Sequence, residues 1–311
     1  IDRDPSYPSI TNPDGLCSDQ TTLEFIVDDT PEIYPVTVPA HCDGDDGNDD
    51  RDGFDQFDTS SLTSALLGPD QSLDDYEVSY QYIDEDGNLL SSSELRNPFN
   101  TKTQTVTVTI TNKLNTSCPA VDTIDFVVNP LPEFTVDNDV IVCLNLPPQP
   151  IGVTSAQGNY TYAWEHEDLN GNTSTFPSTS DTILIGVGGT YYVTATTTDG
   201  TNCSRTLSIS VSESEIASIT LDDIKVKDLT SDNNNTITID TSNLGIGDYE
   251  FSLDNRNGPY QTYPYFDQVR PGIHTIYVRD KKDCGIAQID VSIIGYKKFF
   301  TPNGDGIHDT W

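Results

Sequence analysis

The chain has 311 residues, with 50 acidic and 15 basic side chains and a formal net charge of −35. A surface of this charge repels phosphate groups, so it excludes nucleic acid as a partner and disfavours anionic membranes. Hydrophobic residues make up only 34%, but they fall in alternating runs that disordered chains lack. The length predicts several domains of about 100 residues each.

Two features of the sequence concern membrane insertion and processing. No apolar run approaches the roughly 18 residues that a membrane helix needs, so we predict no transmembrane segment. The chain begins with Ile1-Asp2-Arg3 and contains no methionine, and this start has neither the basic nor the apolar region of a signal peptide. We therefore expect an internal or processed piece of a longer protein.

Four segments repeat one pattern, in which a β-rich run is followed by a polar turn with a cysteine and then by a second β-rich run. Val, Ile, Thr and Tyr alternate with polar residues in these runs, which is typical of strands buried on one face. Each segment therefore predicts a β-hairpin. The paired runs are 10–12 with 23–27, 106–112 with 124–128, 191–196 with 207–211, and 274–278 with 289–293, and the cysteines between them are Cys17, Cys118, Cys203 and Cys284.

Linkers follow the first three hairpins, at 30–31, 129–132 and 212–218. The segments between these linkers have the length of an immunoglobulin-like sandwich. The runs Tyr162–Trp164 and Gly188–Val193 resemble the strand patterns of PKD and immunoglobulin-like modules of bacterial surface proteins. We therefore predict an all-β chain of tandem immunoglobulin-like or PKD-like β-sandwiches in an extended array. The predicted parts are the end of a truncated sandwich at 1–35, sandwiches at 36–131, 132–214 and 215–295, and the start of a further domain at 296–311.

One short helix is predicted between the repeats, over Asp58–Leu67. Asp58 or Thr59 would be its N-cap, and Gly68 would end it.

The six cysteines predict disulfides that tie each first strand to the closing hairpin of its own sandwich. Cys42 and Cys143 follow linkers, so we pair Cys42 with Cys118 and Cys143 with Cys203. Each bridge would add roughly 4 kcal/mol in the chain-entropy model, and secreted chains favour such bridges. The alternative is a pair of buried thiols in each sandwich.

Two cysteines are left over, and we expect the partner of Cys17 upstream and Cys284 to be buried as a small hydrophobe. Trp164 is predicted in the core against the Cys143–Cys203 bridge, with ligand stacking as the alternative.

The segment Asp43–Asp58 contains eight Asp residues with interleaved Gly. This composition is typical of a calcium loop, because Ca²⁺ takes six to eight oxygen ligands at tight turns. Its front matches an EF-hand loop, but Thr59 stands at position 12 where that loop has Glu. The alternative is a solvated acidic loop. The candidate ligands are Asn48, Asp50, Asp52 and Asp55.

Catalysis finds little support in the sequence. The four histidines, His41, His166, His274 and His308, are scattered, and no metalloprotease, nucleophile-elbow or phosphate-loop motif is present. We predict that the chain is not an enzyme.

The end of the chain carries the densest motif, the run from Phe299 to Gly306 followed by Asp309 and Trp311. It resembles the opening of the type B C-terminal sorting domain, which ends many secreted proteins of the Bacteroidota, gliding-motility-associated adhesins among them. The resemblance implies export by the type IX secretion system and attachment to the outer membrane at the cell surface. The residues that carry it are Phe300, Pro302, Asn303, Gly304, Asp305, Gly306, Asp309 and Trp311.

Two further resemblances point the same way. The runs Tyr249–Asp254, Gly258–Gln261 and Val269–Gly272 resemble the repeats of SprB-like gliding adhesins. The tripeptides that contain Thr123 and Thr182 resemble the Asp-Thr-apolar acceptor that this phylum uses for O-glycosylation.

These resemblances predict the C-terminal stalk of a large cell-surface adhesin associated with gliding motility. The implied partners are the type IX translocon, a shuttle or attachment protein, the gliding machinery and extracellular polysaccharide. One alternative is the accessory tail of a secreted enzyme such as a polysaccharide hydrolase. Another is a carbohydrate-binding module, for which the candidate aromatic cluster is Tyr260, Tyr263, Tyr265 and Phe266.

Overall fold

The computed structural model describes residues 9–11, 18–20, 30–44, 51–230 and 234–295. The chain divides into two compact units, residues 1–130 and 131–311. The first contains one β-sandwich with its own hydrophobic core, and the second contains two. We refer to these as the first, second and third sandwich in chain order.

The elements of the first unit are β1 Ser9–Thr11, β2 Ser18–Gln20, β3 His41–Cys42, β4 Asp55–Phe57, α1 Leu62–Leu67, β5 Tyr76–Ile83, β6 Leu89–Ser92, β7 Phe99–Thr101, β8 Gln104–Asn112, β9 Ala120–Phe126 and β10 Val128–Asn129. Those of the second sandwich are β11 Thr135–Val136, β12 Val140–Cys143, β13 Gln149–Thr154, β14 Tyr160–Glu167, β15 Thr173–Phe176, β16 Thr182–Ile185, β17 Gly189–Thr197 and β18 Ser204–Ser214. Those of the third are a 3₁₀ turn Leu221–Asp223, β19 Ile224–Lys227, β20 Asn235–Ile239, β21 Tyr249–Leu253, β22 Tyr265–Val269, β23 Gly272–Asp280 and β24 Ile286–Ile293.

Each sandwich is built on one central strand, β8, β17 or β23, that lies between two antiparallel neighbours. The strand that follows it in the chain closes a hairpin, as β8–β9, β17–β18 and β23–β24. Alternate residues of the central strand are buried, because successive side chains of a strand point to opposite faces. Three of the four predicted hairpins are thus confirmed. At the fourth, β1 pairs with β2, and the predicted run 23–27 lies outside the described residues.

The central strands form sheets that pack face to face around apolar cores. The sheet β6-β5-β8-β9 forms the main layer of the first sandwich, and β12-β18-β17-β14-β15 packs against β11-β13-β16 in the second. The third pairs β21-β23-β24 with β19-β20-β22. This confirms the predicted class of all-β, tandem immunoglobulin-like sandwiches. The domain boundaries drawn from the sequence stay predictions, although each of the three predicted sandwich segments contains its own core.

In the first two sandwiches the last strand pairs in parallel with β3 or β12. We call each of these the first strand, because it is the first in chain order of the sheet that contains the last strand. In the first sandwich β3 pairs with β10, so that Cys42 lies opposite Asn129. In the second, β12 pairs with β18, so that Cys143 lies opposite Ser214. The amide that follows each cysteine donates to the residue opposite it, Asp43 to Asn129 at 2.8 Å and Leu144 to Ser214 at 2.9 Å. Cys42 and Cys143 therefore occupy equivalent positions, beside the end of the last strand.

The helix α1 begins later than predicted, with Ser61 as its N-cap. The predicted caps are used elsewhere, because the Asp58 carboxylate accepts from the Ser60 amide and the Thr59 hydroxyl donates to the Arg96 carbonyl. The predicted end is confirmed: Gly68 has a φ of 65°, which favours glycine, and its amide donates to the Ser64 carbonyl.

Trp164 is the anchor of the second core, and we expect its truncation to be severe. Its side chain is 1% exposed, and its indole N–H donates to the Ser180 carbonyl at 2.8 Å. Trp164→Ala should lower the local unfolding free energy of β14 and β17 by about 3–5 kcal/mol, because it leaves a cavity and an unpaired carbonyl. Native-state hydrogen exchange of those strands in the full chain measures this.

Leu184→Ala is the matched control, since Leu184 lies in β16 of the same sandwich but is 65% exposed. It should change the same protection by less than about 0.5 kcal/mol. Equal losses in the two variants would contradict the assignment of Trp164 to the core.

Candidate functional site

The second and third sandwiches are joined by a disulfide between Cys143 and Cys284. The two Cα atoms lie 5.5 Å apart, although the residues are 141 positions apart in sequence. Cys143 ends β12, the first strand of the second sandwich, and Cys284 lies in the β23–β24 hairpin of the third. The bond therefore links two successive sandwiches within the second unit.

The predicted pairings are wrong. Cys143 is bonded to Cys284 rather than to Cys203, and Cys118 is a free, exposed thiol. Cys42 and Cys203 are disulfide-bonded, and Cys284 is not the unpaired thiol that the sequence predicted. Within the described residues, only the membership of Cys42, Cys143 and Cys203 in disulfides is confirmed.

Strand geometry explains the error. Cys143 lies beside Ser214 at the end of β18, whereas Cys203 directly precedes Ser204 at its start. Eleven residues of strand at about 3.3 Å each separate these ends by roughly 35 Å. A disulfide requires Cα atoms within about 7 Å. A first-strand cysteine therefore cannot reach the hairpin cysteine of its own sandwich, and the same argument separates Cys42 from Cys118.

A buried carboxylate organises the hairpin that presents Cys284. Asp280 ends β23 and is fully buried. Its Oδ2 accepts from the amides of Lys282 and Cys284, both at 3.1 Å, and its Oδ1 accepts from the hydroxyl of Ser214 at 2.8 Å. Ser214 is also fully buried and lies opposite Cys143. The Asp280 side chain thus fixes the turn around Cys284 and holds it against the strand that carries Cys143.

The residues between the two sandwiches are held on both sides. The Asn145 side chain bonds both the amide and the carbonyl of Ile216, each at 3.2 Å. On the other side Gly285 faces Ile216 so closely that an added Cβ would lie 2.8 Å from its side chain. The predicted linker 212–218 is therefore a hydrogen-bonded joint, and its first three residues belong to β18.

Glu215 in this joint is fixed by the third sandwich. Its carbonyl accepts from the Tyr249 hydroxyl at 3.1 Å, and its carboxylate accepts from the Ile246 amide at 2.8 Å. Burial, together with the nearby carboxylates of Glu215 and Asp280, raises the pKa of Tyr249 to about 12. The hydroxyl therefore stays protonated, and remains a donor, far above neutral pH.

The first sandwich has a comparable polar arrangement around its first-strand cysteine. His41 precedes Cys42 and stacks on Phe57, with ring centroids 4.3 Å apart. Its Nδ1 lies 2.7 Å from Oδ2 of Asp55, whose carboxylate is 1% exposed. This contact anchors β3 to β4 beside Cys42.

The predicted calcium ligands are only partly within the described residues. Asp55 is occupied by His41 and by the Gln56 amide, and Asp52 accepts from the Phe54 amide. Asn48 and Asp50 lie outside the described residues. Among the residues that the structure describes, no three His, Cys, Asp or Glu side chains are grouped to hold a metal ion. The calcium site stays a prediction.

The remaining predicted sites also stay predictions. The sorting motif from Phe300 to Trp311 lies outside the described residues. Thr123 and Thr182 are both exposed on strands, β9 and β16. In the described part of the chain, no helix is long and apolar enough to span a bilayer.

The candidate aromatic cluster of the third sandwich is divided between core and surface. The Arg279 guanidinium lies 3.9 Å from the ring centroid of Tyr260, and Phe266 packs against the third core. Tyr263 is 80% and Tyr265 46% exposed. Two of the four aromatic rings are therefore engaged within the sandwich.

Residues 40–132 match the family model described as the Flavobacterium inter-domain disulphide bond domain. The match includes the whole first sandwich with Cys42 and Cys118, and it indicates an origin in the Bacteroidota. No curated protein matches the chain significantly.

Several solved structures resemble the chain at low identity. Drosophila OTK extracellular domains 3–5 are 10% identical, with a TM-score of 0.30 over 85% of this chain and 97% of theirs. Murine CEACAM1b is 11% identical, with a TM-score of 0.33 over 53% of this chain and 100% of its own. A Ca²⁺-stabilised adhesin with which an Antarctic bacterium binds ice is 10% identical, with a TM-score of 0.28 over 73% and 66%.

The hydrogen bonds of Asp280 allow a prediction of how easily the Cys143–Cys284 disulfide is reduced. Asp280→Asn weakens the bonds to the amides of Lys282 and Cys284, and charge-assisted hydrogen bonds contribute about 1.5–3 kcal/mol each. Local opening that exposes Cys284 should become easier, so reduction of the Cys143–Cys284 bond by dithiothreitol should accelerate about tenfold or more. Timed alkylation and peptide mass spectrometry follow that bond.

Asp283→Asn is the matched control, because Asp283 is exposed in the same turn. It should leave the rate unchanged. Equal rates in the two variants would contradict an organising role for Asp280.

Proposed function

We propose that this chain is part of the stalk of a secreted, surface-exposed adhesin-type protein, in which disulfides lock successive sandwiches together. The observation that carries the proposal is the Cys143–Cys284 bond, which joins two separate cores rather than closing one. A bond inside one sandwich would stabilise that sandwich alone. A bond between two sandwiches fixes the joint and holds the two sandwiches together under tension.

The position of the bond matches a load-bearing role. Tension along the chain enters the second sandwich at β11, eight residues before Cys143, and leaves the third at the end of β24, nine residues after Cys284. The disulfide therefore provides a covalent bypass around the intervening chain, which includes most of both cores. Fully extended, 141 residues would span about 480 Å. With the bond intact, tension cannot extend the residues between Cys143 and Cys284.

Three further features support an extracellular stalk. Disulfides persist in oxidising environments such as the cell exterior. The matched family model is named for an inter-domain disulphide bond, and its name includes Flavobacterium. The net charge of −35 keeps neighbouring molecules apart in solution.

The route to the surface rests on the sequence motif at the end of the chain. Its resemblance to the type B sorting domain supports export by the type IX secretion system, followed by attachment through a shuttle protein at the outer membrane. The likeness of 249–272 to gliding-adhesin repeats supports a role in gliding motility and adhesion.

Single-molecule extension tests the bypass. The full chain, tagged at both ends, is stretched before and after reduction with dithiothreitol. Reduction should lengthen the fully extended molecule by at least about 450 Å, since it releases the chain between Cys143 and Cys284. The control is Cys118→Ser, which removes the exposed thiol and should leave the oxidised trace unchanged. A fully extended length that is the same before and after reduction would overturn the load-bearing role.

Export and function are tested in cells with the full-length gene. Asn303→Ala with Asp305→Ala should abolish surface display, measured by antibody labelling of intact cells. Asp137→Ala with Asn138→Ala, in an exposed loop between β11 and β12, is the control and should preserve display. Deletion of the gene should impair gliding and surface adhesion. If both stay normal and polysaccharide degradation falls, the chain is the accessory tail of a secreted enzyme instead.

A further inference from the structure

A cleft of about 530 Å³ opens at one end of the second sandwich, beside the tip of the β14–β15 hairpin. Its inner part contains His166, Gly188 and Glu213, which are buried or half-buried. Its volume falls within the roughly 300–1,000 Å³ that small-molecule sites have. The exposed edge of the cleft is polar and contains Asn170, Asn172, Thr173 and Ser174.

The imidazole of His166 presents a hydrogen-bond acceptor to this cleft. His166 is only 8% exposed, and its ring stacks on Tyr191 with centroids 4.3 Å apart. Nε2 lies 2.9 Å from the Gly188 carbonyl, which can only accept, so Nε2 carries the proton in the neutral ring. Nδ1 then has a free lone pair, and among the described residues it has no hydrogen-bond partner. A side chain that is nine-tenths buried thus keeps an unused acceptor at the cleft.

The Glu213 carboxylate presents a second acceptor. Its Oε1 accepts from the Gly188 amide at 2.7 Å, which fixes the carboxylate beside the cleft. Its Oε2 has no hydrogen-bond partner in the part of the chain that the structure describes. Gly188 therefore holds both acceptors in place, His166 through its carbonyl and Glu213 through its amide.

Two glycines allow the backbone to approach these side chains. A Cβ on Gly188 would lie 2.5 Å from Cγ of Glu213, and a Cβ on Gly189 would lie 2.7 Å from Nε2 of His166. Gly189 also has a φ of 128°, which favours glycine. The two acceptors are therefore fixed before any ligand arrives, and such preorganisation lowers the cost of binding.

The Asp168 carboxylate also lines the cleft, but it shapes the hairpin tip. It accepts from the side chain and the amide of Asn172, both at 2.9 Å, and from the Asn170 amide at 2.8 Å. The hydrogen bonds from Asn172 and Asn170 lower the pKa of Asp168. The polar edge of the cleft is thus held in one conformation.

The lining of the cleft determines which class of ligand it fits. None of the described residues that line it is Lys or Arg, and the chain has a net charge of −35, so an anionic ligand would be repelled. Glu213 and His166 accept hydrogen bonds, whereas the hydroxyls and amides of the edge both donate and accept. Leu169 and Val187 add apolar surface, being 68% and 49% exposed. A sugar ring without acidic groups matches this lining, because its hydroxyls donate and accept while its C–H groups are apolar.

We propose that this cleft binds a neutral saccharide unit of an extracellular polysaccharide. Oε2 of Glu213 and Nδ1 of His166 accept from sugar hydroxyls, and the edge residues bond the remaining hydroxyls. Leu169 and Val187 contact the C–H groups of the ring. The proposal deepens the proposed function, because it rests on the adhesin-type role and gives the stalk a ligand.

Titration of the full chain with hexasaccharides tests the site. The neutral probes are hexamers of glucose, mannose, xylose and galactose, and the acidic probe is a hexamer of galacturonic acid. Calorimetry measures the affinity, and NMR of the His166 ring protons reports on the cleft. At least one neutral hexamer should bind and shift the His166 resonances, whereas the acidic hexamer should not bind. Failure of all the neutral probes, binding of the acidic probe alone, or binding without a His166 shift would each overturn the proposal.

The Glu213→Gln variant gives a second measurement. Its amide oxygen can still accept from the Gly188 amide, but the charged acceptor at the cleft is lost, so the affinity should fall about tenfold. Glu165→Gln is the matched control, because Glu165 precedes His166 in β14 and is exposed on the opposite face. It makes the same change of charge and should leave the affinity unaltered. Equal losses in the two variants would show that net charge, and not the cleft, governs binding.

The outcome is separate from that of the extension experiment. Saccharide binding is measured without tension, and the described residues that line the cleft include neither Cys143 nor Cys284. Failure of the saccharide site would leave the load-bearing role intact, and failure of the load-bearing role would leave the binding measurement valid.

Discussion

The parallel pairing of the first strand with the last strand is the constraint on which the junction depends. In the second sandwich it places Cys143 opposite Ser214, where the chain leaves the sandwich. The antiparallel hairpin of the third sandwich places Cys284 just before its last strand, and the Cys143–Cys284 bond and the Ser214–Asp280 hydrogen bond join this end to the second sandwich. A first-strand cysteine and a hairpin cysteine lie at opposite ends of a sandwich. Along the chain they can therefore meet only when they belong to neighbouring sandwiches. The direction of the covalent link follows from strand direction alone.

The junction also shows how a strongly acidic chain uses carboxylates in its interior. Burying an ionised carboxylate is costly unless donors replace its water. Asp280 has two backbone amides and the Ser214 hydroxyl, and Asp55 has His41 and the Gln56 amide. Asp223 accepts from both the amide and the hydroxyl of Thr220 at the 3₁₀ turn. Each buried carboxylate thus fixes a turn or a strand end, while most of the acidic side chains remain in solvent.

Alternation of apolar residues was sufficient to predict the hairpin strands, because burial on one face requires a period of two. It located the hairpins β8–β9, β17–β18 and β23–β24, whereas the resemblance to immunoglobulin-like modules placed Trp164 in a core. It could not give the disulfide pairing, since spacing along the chain does not reveal at which end of a strand each cysteine lies. The buried bond between Asp280 and Ser214 was equally invisible, because Asp in a hairpin turn is common and the partner is 66 residues away. Gly68 ended the helix as predicted, but Ser61 is the N-cap because the predicted cap Thr59 bonds to the distant Arg96 carbonyl instead.

The distribution of cysteines sets a limit to the linked series. The sequence has no cysteine between Cys203 and Cys284, and none after it. The third sandwich can therefore be bonded to the sandwich before it, but it has no first-strand cysteine to offer to anything that follows. The run that resembles a sorting domain begins a few residues after β24 in the sequence, and it contains no cysteine. No disulfide of this sequence can therefore tie the proposed export signal to the third sandwich, because the last cysteine, Cys284, is already bonded to Cys143.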